Sequence, residues 1–240
     1  MKSTRSQVLI VLWKEYREQR DKRTLLLSMG ITSMISVPVY CLPILFFMRG
    51  GLESAVEIMR GALYTYFSLA AYLVAATIFT ASVFYRERQT GTLEGLLATP
   101  IRPAAVWLGK TFFVFLAGLC FAVLVIATVT VIVNLLRPPG ASLFLPSIQG
   151  LLVFFGLFPV TGFCLSALTG FFYLRTSQAA IAQLGSMGLA ALCFVLPILG
   201  ASRIMVSWRL VAVASVGCLI LAAAVWIASR FLDRETLVTG

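Results

Sequence analysis

Few residues in this sequence have side chains that could do chemistry, and their types restrict what that chemistry is. The chain has no histidine. Its cysteines all lie inside apolar runs and form no Cys-x-x-Cys pair; they are Cys41, Cys120, Cys164, Cys193 and Cys218. Structural zinc sites need clustered Cys and His ligands. We therefore expect the cysteines to be small apolar packing residues, and we expect the chain to bind no metal or cofactor.

One segment comes near to a phosphate-binding loop without completing it. That motif, Gly-x-x-x-x-Gly-Lys-Ser/Thr, must lie between a strand and a helix so that backbone N–H groups surround the phosphates. Gly109, Lys110 and Thr111 match its end, but Ala104 occupies the position of the first glycine, and the segment runs into an apolar stretch. We predict that the chain has no ATPase site of its own and is not an enzyme.

The most specific pattern is the segment YRERQTGTLEGLLATPIRPAAVWLGK, residues 85–110. Thr92 can cap a short helix, and Glu94 would lie in its first turn, near the positive end of the helix dipole. Pro100 ends this helix, and Pro103 suits the first turn of the next one. The segment therefore predicts a helix of one to two turns between two apolar runs.

This short helix would have one apolar face. Leu93, Leu96 and Leu97 follow the i, i+3, i+4 spacing that places residues on one side of a helix. An exposed apolar face of this kind usually marks a partner site. The alternative is a helix that lies flat against lipid, and the residues alone favour neither.

A second charged segment, residues 6–23, precedes the first apolar run. Its i,i+4 pairs of opposite charge, such as Lys14 with Glu18, favour a helix. Leu9, Leu12, Trp13 and Tyr16 would face lipid, and the charged residues, among them Arg17 and Arg20, would line the other side. We predict a helix along the inner membrane surface; the alternative is a flank that only orients the first span.

The composition indicates which elements must position these segments. The chain is 60% hydrophobic and 12% charged, with a mean hydropathy of +0.98. Soluble domains are about 45–50% apolar and about 25% charged. Most of the chain must therefore be surrounded by lipid, where each crossing is a helix or part of a closed barrel. The apolar runs are long and lack the alternation of barrel strands.

We predict an all-α polytopic membrane protein with a single transmembrane domain over residues 1–240. Each span needs about 20 apolar residues. The predicted spans, numbered first to sixth, cover about 24–48, 61–84, 104–136, 148–172, 179–201 and 208–231. The sequence shows no convincing internal repeat, and we expect no removable signal peptide, because the first apolar run follows a long charged segment.

The positive charges predict the orientation. With the N-terminus inside, fourteen of the 19 Lys and Arg residues lie on the inner side. Both termini and the 85–103 loop are therefore expected in the cytoplasm. The net charge of +10 is explained by this topology and by anionic lipid headgroups, so we expect membrane lipid and no nucleic acid as a partner.

The predicted spans contain no acidic residue. An ion-coupled carrier usually needs an ionisable group among its helices, although carbonyls of broken helices can coordinate sodium. Ion coupling is therefore disfavoured. The polar residues within spans are expected mostly to form hydrogen bonds between helices; they are Asn134, Gln183, Thr128, Thr130, Thr161 and scattered serines.

The order of these segments resembles the permease subunits of ATP-binding-cassette (ABC) transporters of the type-2 exporter class. The family block E-x-x-x-G-T/S-L-E-x-L-L-x-T/S-P is the segment that couples to the ATPase. The matching residues are Glu87, Gly91, Thr92, Leu93, Glu94, Leu96, Leu97, Thr99 and Pro100. The resemblance raises the partner interpretation of the short helix well above the lipid-facing one.

The resemblance implies a dimer of permeases with two separate subunits that bind ATP, in the plasma or inner membrane of a prokaryote. It also implies a substrate path lined chiefly by the first, second and fifth spans. Pro38 and Pro43 are expected to bend the first span. The outer connection at 201–208 is shorter than in relatives with large outer loops, so their outer gating does not transfer.

Two alternatives remain open at this stage. One is a permease of the haem-export or cytochrome-c-maturation type, whose inner loop is similar. The other is a membrane assembly scaffold that binds a partner and transports nothing. An adjacent ATPase gene would favour transport over the scaffold.

Overall fold

The structure, a computed structural model, describes residues 4–20, 23–85, 102–175 and 208–230. These residues are predominantly helical and contain no strand. Five of their helices are long and apolar enough to cross a membrane. The predicted class, an all-α polytopic membrane protein, is confirmed. The predicted fifth span, 179–201, lies outside the described residues, so the count of six stays a prediction.

The helices keep the names used for the predicted spans. The N-terminal helix is Thr4–Arg20, and the first span is Arg23–Arg49. The second span runs through Glu53–Ala62, Leu63–Phe67, Ser68–Thr80 and Ala81–Tyr85. The third span is Pro103–Leu136. The fourth span runs through Ile148–Leu152, Val153–Leu157 and Phe158–Arg175, and the sixth is Trp208–Arg230.

The second span begins at Glu53, eight residues before the expected start at 61. The hydropathy of the sequence did not predict this first part of the span, because the part contains the charged residues Glu53, Glu57 and Arg60. Glu53 lies in the first turn, where a carboxylate interacts favourably with the helix dipole. Arg60 donates a 2.9 Å hydrogen bond to Glu57 one turn away, so two of these charges neutralise each other.

In the part of the chain that the structure describes, three segments are π-helical turns: Leu63–Phe67, Ala81–Tyr85 and Val153–Leu157. Such turns are rare and are often found at functional sites. The first and third pack together, and Tyr64 and Phe154 meet edge to face with ring centroids 6.5 Å apart. The second ends at the last described residue before the 86–101 segment.

The third span is central, since it packs against the N-terminal helix and the first, second and fourth spans. Tyr72 of the second span is fully buried between the third and fourth spans. A Cβ atom at Gly118 or Gly162 would lie 2.8 or 3.0 Å from its ring. The Tyr72 hydroxyl donates a 2.6 Å hydrogen bond to the Gly162 carbonyl and also meets the Ser166 hydroxyl. Two glycines therefore make room for one aromatic side chain.

Asn134, near the end of the third span, fixes the connection that follows it. Its amide nitrogen donates to the Phe144 carbonyl at 3.0 Å, and its oxygen accepts from the Phe144 N–H at 2.9 Å. Arg60 donates to the Leu143 carbonyl at 3.4 Å and lies over the Phe144 ring. The sequence predicted helix–helix hydrogen bonds for Asn134, whereas these bonds hold a loop.

Candidate functional site

The N-terminal helix lies against the beginning of the third span, and a glycine makes this contact close. A Cβ atom at Gly109 would lie 2.8 Å from the Val11 Cβ and 3.1 Å from the Val8 carbonyl oxygen. Only a residue without a side chain fits there. Near the start of the N-terminal helix, the side-chain oxygen of Gln7 accepts a 3.4 Å hydrogen bond from the backbone N–H of Arg102.

A buried ion pair lies one residue beyond this contact. The Lys110 ammonium donates a hydrogen bond of 2.6 Å to the Glu15 carboxylate. The Lys110 and Glu15 side chains are 0% and 1% exposed. Burial removes the water that normally screens such charges, so their attraction is stronger than at a surface.

Lys110 also contacts the end of the second span. Its ammonium donates to the Val83 carbonyl at 3.3 Å and lies 5.9 Å from the centre of the Phe84 ring, within cation–π range. Val83 and Phe84 belong to the π-helical turn that ends at Tyr85. One ammonium group therefore joins three elements: the N-terminal helix, the end of the second span and the beginning of the third.

A second face of the N-terminal helix is apolar and exposed, and it borders an apolar cavity. Leu9, Trp13 and Tyr16 are all exposed, and the Trp13 and Tyr16 rings meet with centroids 5.7 Å apart. Lys14 pairs with Glu18 at 3.2 Å, as the i,i+4 spacing predicts. Placement of this helix at a membrane surface stays a prediction.

An apolar cavity of about 750 Å³ lies between this helix and the spans. Its wall includes Leu12, Phe79, Phe113 and Leu116, and Gln19 is one of the few polar groups that line it. A cavity of this size and lining suits hydrocarbon better than a polar solute.

The predicted coupling residues cannot be placed in this site. Glu87, Gly91, Thr92, Leu93, Glu94, Leu96, Leu97, Thr99 and Pro100 all lie in the 86–101 segment, outside the described residues. Of the predicted N-terminal residues, Trp13, Tyr16 and Arg17 are exposed. Arg20 ends the helix, and its side chain is outside the description. Both ends of the 86–101 segment do adjoin described residues of the site.

A model of the ABC-2 family transporter proteins matches residues 18–175, which is more than half of the 240-residue chain. The chain belongs to the ABC-2 transporter family. It is thus a membrane permease subunit of an ABC transporter, as the sequence resemblance implied. No curated protein and no solved structure matches it significantly.

In this ABC-2 permease the partial phosphate-loop motif has a different role. Gly109, Lys110 and Thr111 lie inside the long helix Pro103–Leu136, and all three are buried. The Lys110 ammonium is held by a carboxylate and a carbonyl, and Gly109 accommodates a neighbouring helix. The resemblance to a nucleotide-binding loop therefore arises from helix packing.

The sequence analysis of this ABC-2 protein missed the pairing of Glu15 with Lys110. Glu15 lies in the charged N-terminal segment and Lys110 lies in the predicted third span, and no local spacing joins them. Two signals pointed to the pair. Lys110 lies inside a predicted span, where an ionisable residue needs a partner. Val11, Glu15 and Gln19 recur every four residues and are all buried, opposite the exposed apolar face.

The cysteines and polar residues of this ABC-2 protein act mainly in packing. Cys41, Cys164 and Cys218 are buried free thiols, Cys120 is exposed, and Cys193 lies outside the described residues. Thr161 bonds the Leu157 carbonyl of its own helix at 2.7 Å and meets the Cys218 thiol of the sixth span at 3.0 Å. In the described ranges, no group of His, Cys, Asp or Glu is arranged to hold a metal.

Proposed function

We propose that this ABC-2 permease is the transmembrane subunit of an exporter, working as a permease dimer with two separate ATPase subunits. The ATPase subunits bind and hydrolyse ATP, and the permease chain forms the path for the substrate. The 85–103 loop is the contact with the ATPase, with Leu93, Leu96 and Leu97 as its apolar docking face. Both termini lie in the cytoplasm of a prokaryotic cell.

The observation that carries the proposal is the family match over residues 18–175, which includes the whole 85–103 loop. In this family, the block of residues that is matched in the loop forms the contact with the ATPase. Among described residues the only Gly-Lys pair is buried in a helix, which agrees with an energy source on another subunit. A second permease is expected because closed twofold symmetry is the commonest solution for oligomers.

The ends of the loop support the same proposal. Val83, two residues before the end of the second span, accepts a hydrogen bond from Lys110 of the third span. The two spans that flank the loop are thus joined at its base. A loop with a fixed base can transmit a push from a docked subunit into the spans, because packed helices shift as units.

Membrane lipid is the other partner in the proposal. The exposed Leu9, Trp13 and Tyr16 would lie in the headgroup layer of the inner leaflet. Arg17 is exposed on the same helix, where it would attract anionic headgroups. The apolar cavity beside this helix would take up hydrocarbon of the same leaflet.

The test is co-expression with the ABC ATPase encoded beside the gene. We expect the wild-type chain to co-purify with that ATPase as a complex containing two permeases and two ATPase subunits, and to hydrolyse no ATP when purified alone. Leu96→Asp should abolish co-purification, since it places an unpaired charge in the apolar contact. Ala98→Asp is the matched control, because at 100° per residue it falls on the opposite face.

Three outcomes contradict the proposal. They are a permease that purifies as a monomer without the ATPase, ATP hydrolysis by the chain alone, and normal assembly of both Leu96→Asp and Leu97→Asp. Normal insertion of each variant is checked first by its yield in the membrane fraction.

A further inference from the structure

Burying the ion pair of Glu15 and Lys110 costs desolvation free energy, and a gain in stability does not explain why the pair is buried. Removing two charges from water carries a large desolvation penalty, and apolar residues of similar volume often replace such pairs without loss of stability. The pair of Lys14 and Glu18, only one turn away, is partly exposed and avoids this penalty. Buried ionisable groups within a membrane bundle are therefore functional candidates.

The position of the pair indicates what it could do. Glu15 is on the N-terminal helix, Lys110 is eight residues after Arg102, and Val83 precedes the 86–101 segment. The Lys110 ammonium bonds one acceptor on each of the other two elements. Each contact alone would fix a pair of elements, but the shared ammonium fixes all three at the base of the loop.

Apolar packing joins the same elements, so the two contributions must be separated. Val11 lies against Gly109 within van der Waals contact. Apolar packing fixes the separation of two helices but sets their register less sharply, because dispersion contacts are non-directional. A hydrogen-bonded ion pair fixes one register, because both distance and direction matter.

We infer that Glu15 and Lys110 are positioning residues that lock the N-terminal helix to both ends of the coupling loop. When the ATPase subunits move the loop, the helix, the end of the second span and the beginning of the third move as one body. The inference rests on the proposed function, because it assumes that the 85–103 loop receives the ATPase. The N-terminal helix thereby takes part in the coupled movement, and Glu15 and Lys110 are the side chains responsible.

Distances between spin labels test the locking in the assembled permease–ATPase complex. Arg17, Phe112 and Leu219 are exposed and suit labelling in a cysteine-free background. Arg17 and Phe112 report on the helix and the beginning of the third span. Arg17 and Leu219 report on the helix against the sixth span, which packs against the fourth. Pulsed electron paramagnetic resonance compares the nucleotide-free complex with the complex trapped by ATP and vanadate.

In the wild-type complex we expect the Arg17–Leu219 distance to shift by at least about 2 Å, the size of typical helix movements, while the Arg17–Phe112 distance stays constant. The combined variant Glu15→Leu with Lys110→Met removes both charges of the buried pair together, and Lys14, which also lies 3.8 Å from Glu15, keeps its pairing with Glu18. It should assemble and unfold at the wild-type temperature, but its Arg17–Phe112 distance should now shift or broaden on trapping. Glu18→Gln, which removes the exposed pair on the same helix, should behave like the wild type.

Several results would overturn the inference. They are a wild-type Arg17–Phe112 distance that changes as much as Arg17–Leu219, a wild-type Arg17–Leu219 distance that does not change, and a combined variant that keeps Arg17–Phe112 constant. If this variant and the amide pair Glu15→Gln with Lys110→Gln both fail to fold, the pair is a folding determinant and the inference fails. Failure of the wild-type chain to assemble with the ATPase counts against the proposed function and appears before any label is measured.

Discussion

Gly109 of the third span lies so close to Val11 of the N-terminal helix that a Cβ atom at Gly109 would be 2.8 Å from the Val11 Cβ. Real Cβ atoms do not approach to this distance, so any side chain at this position must displace the helix. The contact lies beside the pair of Glu15 and Lys110, where a displacement of this kind would also lengthen the ion pair.

Gly109→Ala is therefore expected to destabilise the permease by about 1–3 kcal/mol, the usual cost of overpacking. The measurement is thermal unfolding of the purified protein in detergent. Gly217→Ala is the matched control, since its new methyl group has no described neighbour within 4 Å and removing a helical glycine stabilises by up to about 1 kcal/mol. Equal unfolding temperatures for both variants would show that the helix is held elsewhere.

Tyr72→Phe is expected to destabilise the bundle by about 1–3 kcal/mol, because it leaves buried polar groups of the fourth span without their partner. The lost contacts are those to the Gly162 carbonyl and the Ser166 hydroxyl. Tyr66→Phe serves as the control, since Tyr66 is less buried than Tyr72 and its hydroxyl makes no hydrogen bond to another described residue. A similar decrease in the unfolding temperature of both variants would contradict the prediction that the hydrogen bonds of the Tyr72 hydroxyl stabilise the bundle.

Asn134→Leu is expected to release the connection between the third and fourth spans, because it removes both bonds to Phe144. Backbone amides at 141–145 should exchange with deuterium faster, while those of the third span keep their protection. Thr128→Val is the comparison, since the Thr128 hydroxyl bonds only the Leu124 carbonyl of its own helix. Unchanged exchange in Asn134→Leu would mean that Arg60 and Arg137, which bond the Leu143 and Ala141 carbonyls, hold the connection without it.

Topology gives a further prediction, based on the positive charges. A cysteine at Gly95 should react with an impermeant thiol reagent only after the cells are opened, whereas a cysteine at Leu145 should react in intact cells. The background is the cysteine-free chain. Labelling of position 95 from outside intact cells would reverse the orientation and would remove the loop from the ATPase side.

The fold class could be predicted from the sequence because lipid leaves a chain few ways to satisfy its backbone. Long apolar runs therefore located the third and fourth spans closely. The beginning of the second span was missed because Glu57 and Arg60 lower its hydropathy, although they neutralise each other. Local periodicity also could not show the π-helical turns, since nothing in their composition differs from the surrounding helix.

The site was harder to predict because its contacts join residues distant in the chain. Glu15 and Lys110 are 95 positions apart, and no spacing rule links them. The fit of Gly109 against Val11 likewise depends on two helices meeting at one level. The sequence did supply the local pair of Lys14 and Glu18, because i,i+4 neighbours meet whatever the tertiary structure is.

The π-helical turn Leu63–Phe67 also affects how this span can change over evolutionary time. A π turn closes its hydrogen bond over one residue more than an α turn, so it holds a single surplus residue without disturbing the helix on either side. Deleting one residue there would restore regular α-helical winding, and the side chains that follow in the span would keep their orientation around the helix axis. Deleting one within Ser68–Thr80 would instead rotate part of the span by about 100° and move Tyr72 or its neighbours away from their glycines. Gaps in alignments of related chains should therefore collect at 63–67, and single deletions there should be the ones that still yield membrane-inserted protein.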